Sequence, residues 1–135
     1  MDPLVGIVVV SHSARIAEGI VELARQMAGP ELRIVPAGGA IDGTLGTDAT
    51  RVAAAIREAD TGAGVLVLAD LGSAVLAART ALEIVEPDQA ARVRIGGGPI
   101  VEGAVVAAVQ ASIGDALDDV RAAADAAATM DKLAG

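Results

Sequence analysis

Residues 4–13 read Leu-Val-Gly-Ile-Val-Val-Val-Ser-His-Ser, and they join a continuous apolar run to the only histidine of the chain. A Val and Ile run without polar alternation is typical of a strand that is buried on both faces of a parallel sheet. Beyond it, Ser13 is available as a helix N-cap, and apolar residues recur at helical spacing until Gly29-Pro30 ends the pattern. This spacing predicts an inward face made of Ile16, Ile20, Leu23 and Met27. The segment therefore predicts a central strand that turns into a helix at His12.

The alternation of strand and helix continues along the rest of the chain. Short apolar runs predict further strands at 32–35, 65–68 and 92–95, and helical spacing predicts helices from about 47 or 48, from 74 to 85, after Pro99 and from about 115 to 128. The predicted inward faces of the later helices include Val75, Leu82, Val101 and Val109. We expect one doubly wound α/β domain over 1–135, with a mainly parallel sheet of four to five strands in the order 2-1-3-4 and helices on both faces. The tail, about 129–135, is predicted to be loose.

Composition excludes several classes of function. Apolar residues make up 53% of the chain, yet it contains no Phe, Trp, Tyr or Cys, and its net charge is −8. Because the chain lacks aromatic stacking platforms and its negative net charge repels phosphate backbones, nucleic acid is not an expected partner. Without cysteine and with one histidine, neither a disulfide nor a zinc site is expected, and no metal is predicted. The longest apolar run is far short of the ~20 residues that span a bilayer, so the chain is predicted to be cytoplasmic, with no membrane partner.

Polar residues follow two of the predicted strands at their carboxyl ends. His12 follows the first strand and Asp70 follows the third, and ligands of doubly wound sheets bind beyond these strand ends. If the two strands are neighbours, His12 and Asp70 face each other, and the loop that begins at Gly38-Gly39 forms a third wall. Asp70 would then hold the Nδ1 proton of His12 and leave Nε2 as a nucleophile. The alternative is that Asp70 only ends a strand and caps the next helix.

Other residues near these strand ends are candidates for contact with a phosphate or a partner. We predict that role for Ser13, Gly38, Gly39, Thr47, Gly72 and Ser73. Ser73 and Thr47 also fit as helix caps, and the two roles are compatible. Glu102 suits the first turn of a helix, where negative charge is favourable, and its part in function is left open.

Familiar catalytic motifs are missing. The chain has no GxxxxGK[ST] phosphate loop, no GxGxxG after a strand, and no GxSxG elbow around Ser73. A nucleotide-binding P-loop and a serine-hydrolase triad are therefore not expected.

Six motifs occur in a characteristic order between residue 5 and about residue 125. They are Gly6-Ile7-Val8-Val9-Val10-Ser11-His12-Ser13, Ala17-Glu18-Gly19, Gly38-Gly39, Gly46-Thr47, Asp70-Leu71-Gly72-Ser73-Ala74 and Pro99-Ile100-Val101-Glu102-Gly103-Ala104. In series they resemble the mannose-type EIIA family of the bacterial phosphotransferase system, and within it the phosphotransferase subunits of the dihydroxyacetone kinases.

The resemblance implies a phosphocarrier. His12 would accept a phosphoryl group at Nε2 from phospho-HPr, which enzyme I charges from phosphoenolpyruvate. It would pass the group to ADP held by the DhaL subunit, and the ATP formed there would phosphorylate dihydroxyacetone on DhaK. Asp70 would match the partner of the histidine and Ser73 a hydroxyl on the phosphate side. The chain would bind no cofactor itself and would form a homodimer. Some relatives continue into HPr-like and enzyme I-like parts, whereas this chain is read as ending after the one domain, so the donor is expected to be a separate protein.

Three alternatives stay open on the sequence. A mannose-type EIIA of a sugar transporter would share the fold and the phosphohistidine but would hand the group to a IIB partner. A receiver-like signalling domain would also place an Asp after strand three. It needs an acidic pair after strand one, where this chain has Ser11-His12-Ser13, and a lysine late in the sheet, where this chain has no suitable one. A non-catalytic interaction module would carry no phosphoryl group at all.

Overall fold

The computed structural model describes residues 2–134, which form four strands and six α-helices. The strands are β1 (Gly6–Ser11), β2 (Ile34–Gly38), β3 (Val65–Ala69) and β4 (Val93–Ile95). The helices are α1 (Ala14–Arg25), α2 (Ala49–Ala59), α3 (Gly72–Ile84), α4 (Pro87–Ala90), α5 (Ile100–Ser112) and α6 (Leu117–Ala126), and a 3₁₀ turn follows at Ala127–Thr129.

The strands of the described chain form one parallel sheet in the order β2-β1-β3-β4. Val8 of β1 lies between Val35 of β2 and Val67 of β3, so β1 is central. All six residues of β1 are buried, as expected of a strand covered on both faces. The predicted fold class and strand order are therefore confirmed, with four strands in the part of the chain that the structure describes.

Helices cover both faces of the sheet and form two apolar cores. Ile7 and Val9 of β1 pack toward α1, α5 and α6, and Val8 and Val10 pack toward α2 and α3. The helix residues in both cores are mostly alanines, which let helix backbones approach the sheet closely. The apolar composition without aromatic residues is thus accommodated by a thin, closely packed layer of helices on each side.

Several element boundaries differ from the sequence-based prediction. β2 begins at Ile34 and not at residue 32, although Leu32 is itself buried. α3 begins two residues early, at Gly72, and α6 begins two residues late, at Leu117. The short helix α4 was not predicted, because four residues are too few to show an apolar periodicity, although Pro87 at its first position is a usual start signal.

The predicted inward faces of α1 and α5 are wrong at their large residues. Ile20 is buried as predicted, but Ile16, Leu23 and Met27 are each about half exposed, and Val101 and Val109 are also exposed. The positions that touch the sheet are instead small, namely Ala17 and Ala24 in α1 and Gly103, Ala104, Ala107, Ala108 and Ala111 in α5. The predicted faces were read from the helical spacing of large apolar residues. Close packing of a helix on the sheet instead favours alanine at the contact, so the larger neighbouring residues lie on the flank of the helix. Val75 and Leu82 of α3 are only partly buried for the same reason.

The end of the described chain lies on the surface. Every residue from 128 to 134 is exposed, and residue 135 lies outside the described part. The Lys132 Nζ pairs with the Glu102 carboxylate at 2.7 Å, and Glu102 lies in the first turn of α5. This ion pair connects the C-terminal segment to α5. None of the helices between residues 2 and 134 has the length and apolar character that crossing a bilayer requires.

Candidate functional site

His12 and Asp70 meet at the carboxyl ends of the two middle strands. β1 and β3 are hydrogen-bonded neighbours, and each residue directly follows its strand. The His12 Nδ1 lies 2.9 Å from Asp70 Oδ1, although 58 positions separate the two residues along the chain. The side chains are 26% and 15% exposed, respectively, so the imidazole is accessible at the rim while the carboxylate is sheltered behind it.

The surroundings of Asp70 favour its ionised form. Partial burial raises the pKa of the carboxyl, but hydrogen bonds from the His12 backbone N–H, the His12 ring and the Ser11 hydroxyl outweigh it, and the pKa lies below its ordinary value. A carboxylate can only accept hydrogen bonds, so the Nδ1 of His12 carries a proton and donates it. In the neutral ring, Nε2 therefore keeps its lone pair, and it faces away from Asp70.

Ser11 was missed by the sequence-based prediction. This last residue of β1 is 0% exposed, and its Oγ donates to Asp70 Oδ2 at 2.8 Å and accepts from the Ser13 N–H at 3.1 Å. Its hydroxyl thus joins the carboxylate to the chain turn that carries His12. A polar residue inside an otherwise apolar buried strand is the signal that could have identified it, because a buried hydroxyl requires partners.

Ser73 lies on the other side of the imidazole ring. Its hydroxyl contacts the His12 Nε2, and in the neutral ring with its proton on Nδ1 the hydroxyl is the donor in this contact. The N-cap of α3 is Leu71, so Ser73 lies inside the first turn and does not cap the helix as the sequence allowed. The residue is exposed, and its hydroxyl is free to turn from Nε2 toward a group attached there.

Ser13 is the N-cap of α1, as predicted. Its Oγ accepts a hydrogen bond from the Ile16 N–H at 3.3 Å, and α1 begins one residue later. The N-terminus of this helix therefore follows directly after His12, where its partial positive charge suits an anionic group.

Gly38 and Gly39 bring the loop after β2 against the chain at His12. A Cβ on Gly38 would lie 2.6 Å from the Ser13 carbonyl oxygen, and Gly39 has a φ of +80° and donates its N–H to the Ser11 carbonyl at 3.1 Å. The Gly46 N–H donates to the His12 carbonyl at 2.8 Å. The predicted third wall is thus present, and these glycines permit close backbone packing there.

Thr47 and Gly72 have simpler surroundings. The N-cap of α2 is Asp48, whose carboxylate accepts from the Thr50 N–H at 3.0 Å, so Thr47 does not have the capping role that the sequence allowed. A Cβ on Gly72 would meet no atom within 4 Å. Contact of either residue with a phosphate or a partner stays a prediction.

Large apolar side chains are exposed on the two loops beside His12. Ile41 and Leu45 are each 79% exposed on the loop that Gly46 holds against His12, and Leu71, next to Asp70, is 63% exposed. A cavity of about 460 Å³ opens beside this loop, between residues 13–15 and 43–45. Such a concentration of exposed apolar side chains is typical of a surface that another protein covers.

Glu102 is not part of this arrangement. Its carboxylate pairs with Lys132, whose hydrogen bond and charge lower the pKa of Glu102 below its ordinary value. Residues 2–134 contain no group of three or more His, Asp or Glu side chains arranged to hold a metal ion.

Comparison with known proteins identifies the family. The EIIA-man family, described as the PTS system fructose IIA component, matches residues 6–121. The chain is 45% identical over 120 residues to the phosphoryl donor subunit DhaM of the phosphoenolpyruvate-dependent dihydroxyacetone kinase of Escherichia coli strain K12, with 87% of this chain and 25% of that protein covered. It is 39% identical over 110 residues to the corresponding DhaM of kinase 2 of Listeria innocua, with 82% and 88% covered.

A solved structure described as the unknown-function protein EF1359 superposes with a TM-score of 0.81 at 40% identity, over 91% of this chain and 94% of that one. The chain spans about a quarter of the length of the Escherichia coli relative, and most of the length of the Listeria relative. The family match extends over 116 of 135 residues and includes both His12 and Asp70. The chain belongs to the EIIA-man family of the phosphotransferase system.

Proposed function

We propose that this chain is the phosphocarrier of a phosphoenolpyruvate-dependent dihydroxyacetone kinase, with the phosphoryl group carried on His12 Nε2. The observation that supports it most directly is the pairing of Nδ1 with Asp70 at 2.9 Å, because in the neutral ring it places the proton on Nδ1 and leaves the lone pair on the accessible nitrogen, Nε2. This would be a phosphotransferase with a phosphohistidine intermediate.

The transfer requires little of the protein besides orientation and charge. The Nε2 lone pair attacks the phosphorus of the phosphorylated donor, the Nε2–P bond forms, and the bond from phosphorus to the donor breaks with its electron pair left on the donor. The Nδ1 proton stays in place. Asp70 then stabilises the positive charge that the ring acquires, and it holds the ring in one orientation throughout.

Ser73 and the start of α1 would act on the phosphoryl oxygens. When the phosphoryl group takes the place of the hydroxyl at Nε2, the Ser73 hydroxyl can donate to one of its oxygens. The N-terminus of α1 follows His12 directly and supplies favourable partial charge. Ser13, Gly38, Gly39, Thr47 and Gly72 would line the surface that faces the phosphoryl group or the docked protein.

The expected partners follow from the family and from the names of the relatives. We infer that phospho-HPr is the donor, and that the acceptor is ADP bound to a DhaL subunit, which works with DhaK. Relatives named as DhaM match at 34–45% identity, which favours this assignment over a sugar-transport EIIA. Enzyme I, HPr and the kinase subunits would place the chain in the cytoplasm.

A homodimer is part of the proposal. α1 and α5 pack on the same face of the sheet. Large apolar side chains stay exposed on both helices and just after α1, namely Ile16, Leu23, Met27, Val101 and Val109. A second copy of the chain would remove these side chains from water.

Transfer to each class of acceptor separates the candidate functions. The chain is charged with labelled phosphoenolpyruvate, enzyme I and HPr, freed of the donors, and mixed either with DhaL·ADP, DhaK and dihydroxyacetone or with a IIB protein. We expect label to pass to DhaL-bound ADP and then to dihydroxyacetone, and not to IIB. Label that passes only to IIB would establish the sugar-transport alternative. A chain that never takes up label would exclude both and favour the interaction module.

A further inference from the structure

The loop between β2 and α2 contains the only Asp-Gly step of the chain, Asp42-Gly43. At an Asp-Gly step a backbone nitrogen most readily attacks the preceding side-chain carboxyl, because glycine has no Cβ to obstruct the approach. Asparagine, which undergoes the same attack with loss of ammonia, is absent from the chain. Residues 41–45 are all exposed, so water has access to this step. Sequence and exposure together single out one peptide bond for spontaneous rearrangement.

The rearrangement passes through a cyclic imide and changes only the connectivity of the backbone. The Gly43 nitrogen attacks Cγ of the protonated Asp42 carboxyl, an N–Cγ bond forms, and the carboxyl hydroxyl leaves with the proton of the nitrogen as water. Water then adds to the α-carbonyl of Asp42, and the bond from that carbon to the nitrogen breaks. The chain is left linked through the Asp42 side chain as isoaspartate, with a free α-carboxylate. Because the water lost first is regained, mass and oxidation state are unchanged.

The folded loop engages both groups that would react. Asp42 Oδ1 accepts hydrogen bonds from the Thr44 hydroxyl at 2.6 Å and from the Thr44 N–H at 3.0 Å, and these bonds lower the pKa of Asp42 below its ordinary value. An ionised carboxylate has no hydroxyl to release as water, so it resists the attack. The Gly43 N–H donates to the Ala40 carbonyl at 2.9 Å. The turn must therefore open before the ring can close, although a Cβ on Gly43 would meet no atom within 4 Å and the ring has space to form.

We propose that Asp42 is a site of isoaspartate formation, and that the Thr44 hydroxyl sets the rate by holding the Asp42 carboxylate. The other carboxylate of this stretch, Asp48, precedes Ala49 and caps α2 through a bond of 3.0 Å from the Thr50 N–H. A Cβ follows Asp48, and its backbone is fixed by the helix that begins there. The rearrangement is therefore confined to Asp42.

Isoaspartate would lengthen a loop that is anchored at both ends. The Ala40 N–H donates to the Thr44 carbonyl at 2.9 Å, and the Gly46 N–H donates to the His12 carbonyl at 2.8 Å. The inserted methylene lies between Ala40 and Thr44, so their hydrogen bond cannot keep its geometry, and the exposed Leu45 next to it shifts. Slower phosphoryl transfer to His12 is the expected consequence. This consequence rests on the proposed function, whereas the formation of isoaspartate does not.

The test is to age the folded protein at neutral pH and to examine its tryptic peptide of residues 34–51, which contains both carboxylates. Mass spectrometric fragmentation distinguishes the two linkages, and methylation by a protein isoaspartyl methyltransferase counts them. We expect isoaspartate at Asp42 and none at Asp48. Thr44→Val should accelerate its formation about threefold to tenfold, since one hydrogen bond contributes free energy of that order. Thr80→Val is the matched control, because that exposed hydroxyl bonds only the Leu76 carbonyl, and it should age at the wild-type rate.

Three results would overturn the proposal. They are no isoaspartate at Asp42 after an incubation in which urea-unfolded protein acquires it, isoaspartate at other residues only, and equal rates for Thr44→Val and the wild type.

A second arm compares the phosphorylation rates of aged and fresh samples. Asp42→Glu keeps the charge but requires a larger ring, so it should form no isoaspartate, and its aged sample should label at the rate of its own fresh sample. Aged wild type should label more slowly than fresh wild type. Isoaspartate at Asp42 with an unchanged labelling rate would refute the effect on the loop. A chain that never takes up label would refute the proposed function and leave the isoaspartate measurement valid.

Discussion

Replacement of Ser11 by alanine measures how far the Asp70–His12 pair depends on its buried support. The change removes a bond of 2.8 Å to a carboxylate and one of 3.1 Å from the Ser13 N–H, at a residue that water does not reach. A hydrogen bond to a charged group contributes about 1.5–3 kcal/mol and a neutral one about 0.5–1.5 kcal/mol. Because Asp70 is 15% exposed and can recover some hydration, we expect Ser11→Ala to lower the free energy of unfolding by about 2–3 kcal/mol.

The effect on function should be smaller than the loss of Asp70 itself. Asp70 still receives the His12 backbone N–H at 3.0 Å and the ring Nδ1–H at 2.9 Å, so the carboxylate stays near its position. We expect phosphorylation of His12 to slow about tenfold, as for other residues that orient a reacting group through a second one.

Urea unfolding and rapid-quench labelling of the same preparations measure the two effects. Ser112→Ala is the matched control, because that partly exposed hydroxyl makes one bond to the Val109 carbonyl, and its loss should change stability by less than about 0.5 kcal/mol. Equal stability and equal labelling rates for the two variants would refute the positioning role of Ser11.

Three further predictions address the site and its surroundings. Asp70→Asn should slow phosphorylation about 10- to 100-fold. The pKa of Asp70 in the folded protein lies below its ordinary value of 3.8, so the ionised carboxylate stabilises the fold above about pH 4. This stabilisation is lost as the pH falls through the folded pKa. The free energy of unfolding should therefore fall less steeply with decreasing pH for Asp70→Asn than for the wild type. Gly38→Ala should cost about 1–3 kcal/mol of stability, because its Cβ meets backbone, whereas Gly19→Ala, where no atom lies within 4 Å, should be neutral or stabilising. Lys132→Ala should leave both the labelling rate and the melting temperature unchanged, because its pair with Glu102 is exposed.

Each of these predictions has a contradicting result. An Asp70→Asn protein that labels at the wild-type rate would show that the carboxylate does not orient the ring. A Gly38→Ala protein with wild-type stability but slow labelling would show that Gly38 is needed for contact with the phosphoryl group and not for packing. Slow labelling of Lys132→Ala would give Glu102 a part in transfer.

The sequence predicted the strand order and the meeting of His12 with Asp70 for one physical reason. Both residues follow uninterrupted apolar runs, and in a doubly wound sheet the ends of such runs converge at one edge. The structure confirms the predicted strand order, the contact between His12 and Asp70, and the N-cap at Ser13.

The sequence did not predict which residues of α1 face the sheet, or the role of Ser11, because both depend on contacts that form only in the folded chain. The spacing of Ile16, Leu23 and Met27 is that of a buried face, but the face of α1 that touches the sheet is built around Ala17 and Ala24. Helical periodicity shows that one face of the helix is apolar. It does not show which residues of that face are small enough to let the helix pack closely on the sheet. Ser11 was missed because its two partners, Asp70 and the Ser13 N–H, come together only when the turn after β1 is folded.

The most direct test of the central claim is to locate the phosphoryl group. The protein is incubated with phosphoenolpyruvate, enzyme I and HPr, digested at neutral to alkaline pH, and mapped by mass spectrometry, with His12→Gln in parallel. We predict one acid-labile phosphoryl group on His12, attached at Nε2, and none on the variant. Label on another residue, or equal label on the His12→Gln protein, would contradict the assignment of His12 as the carrier.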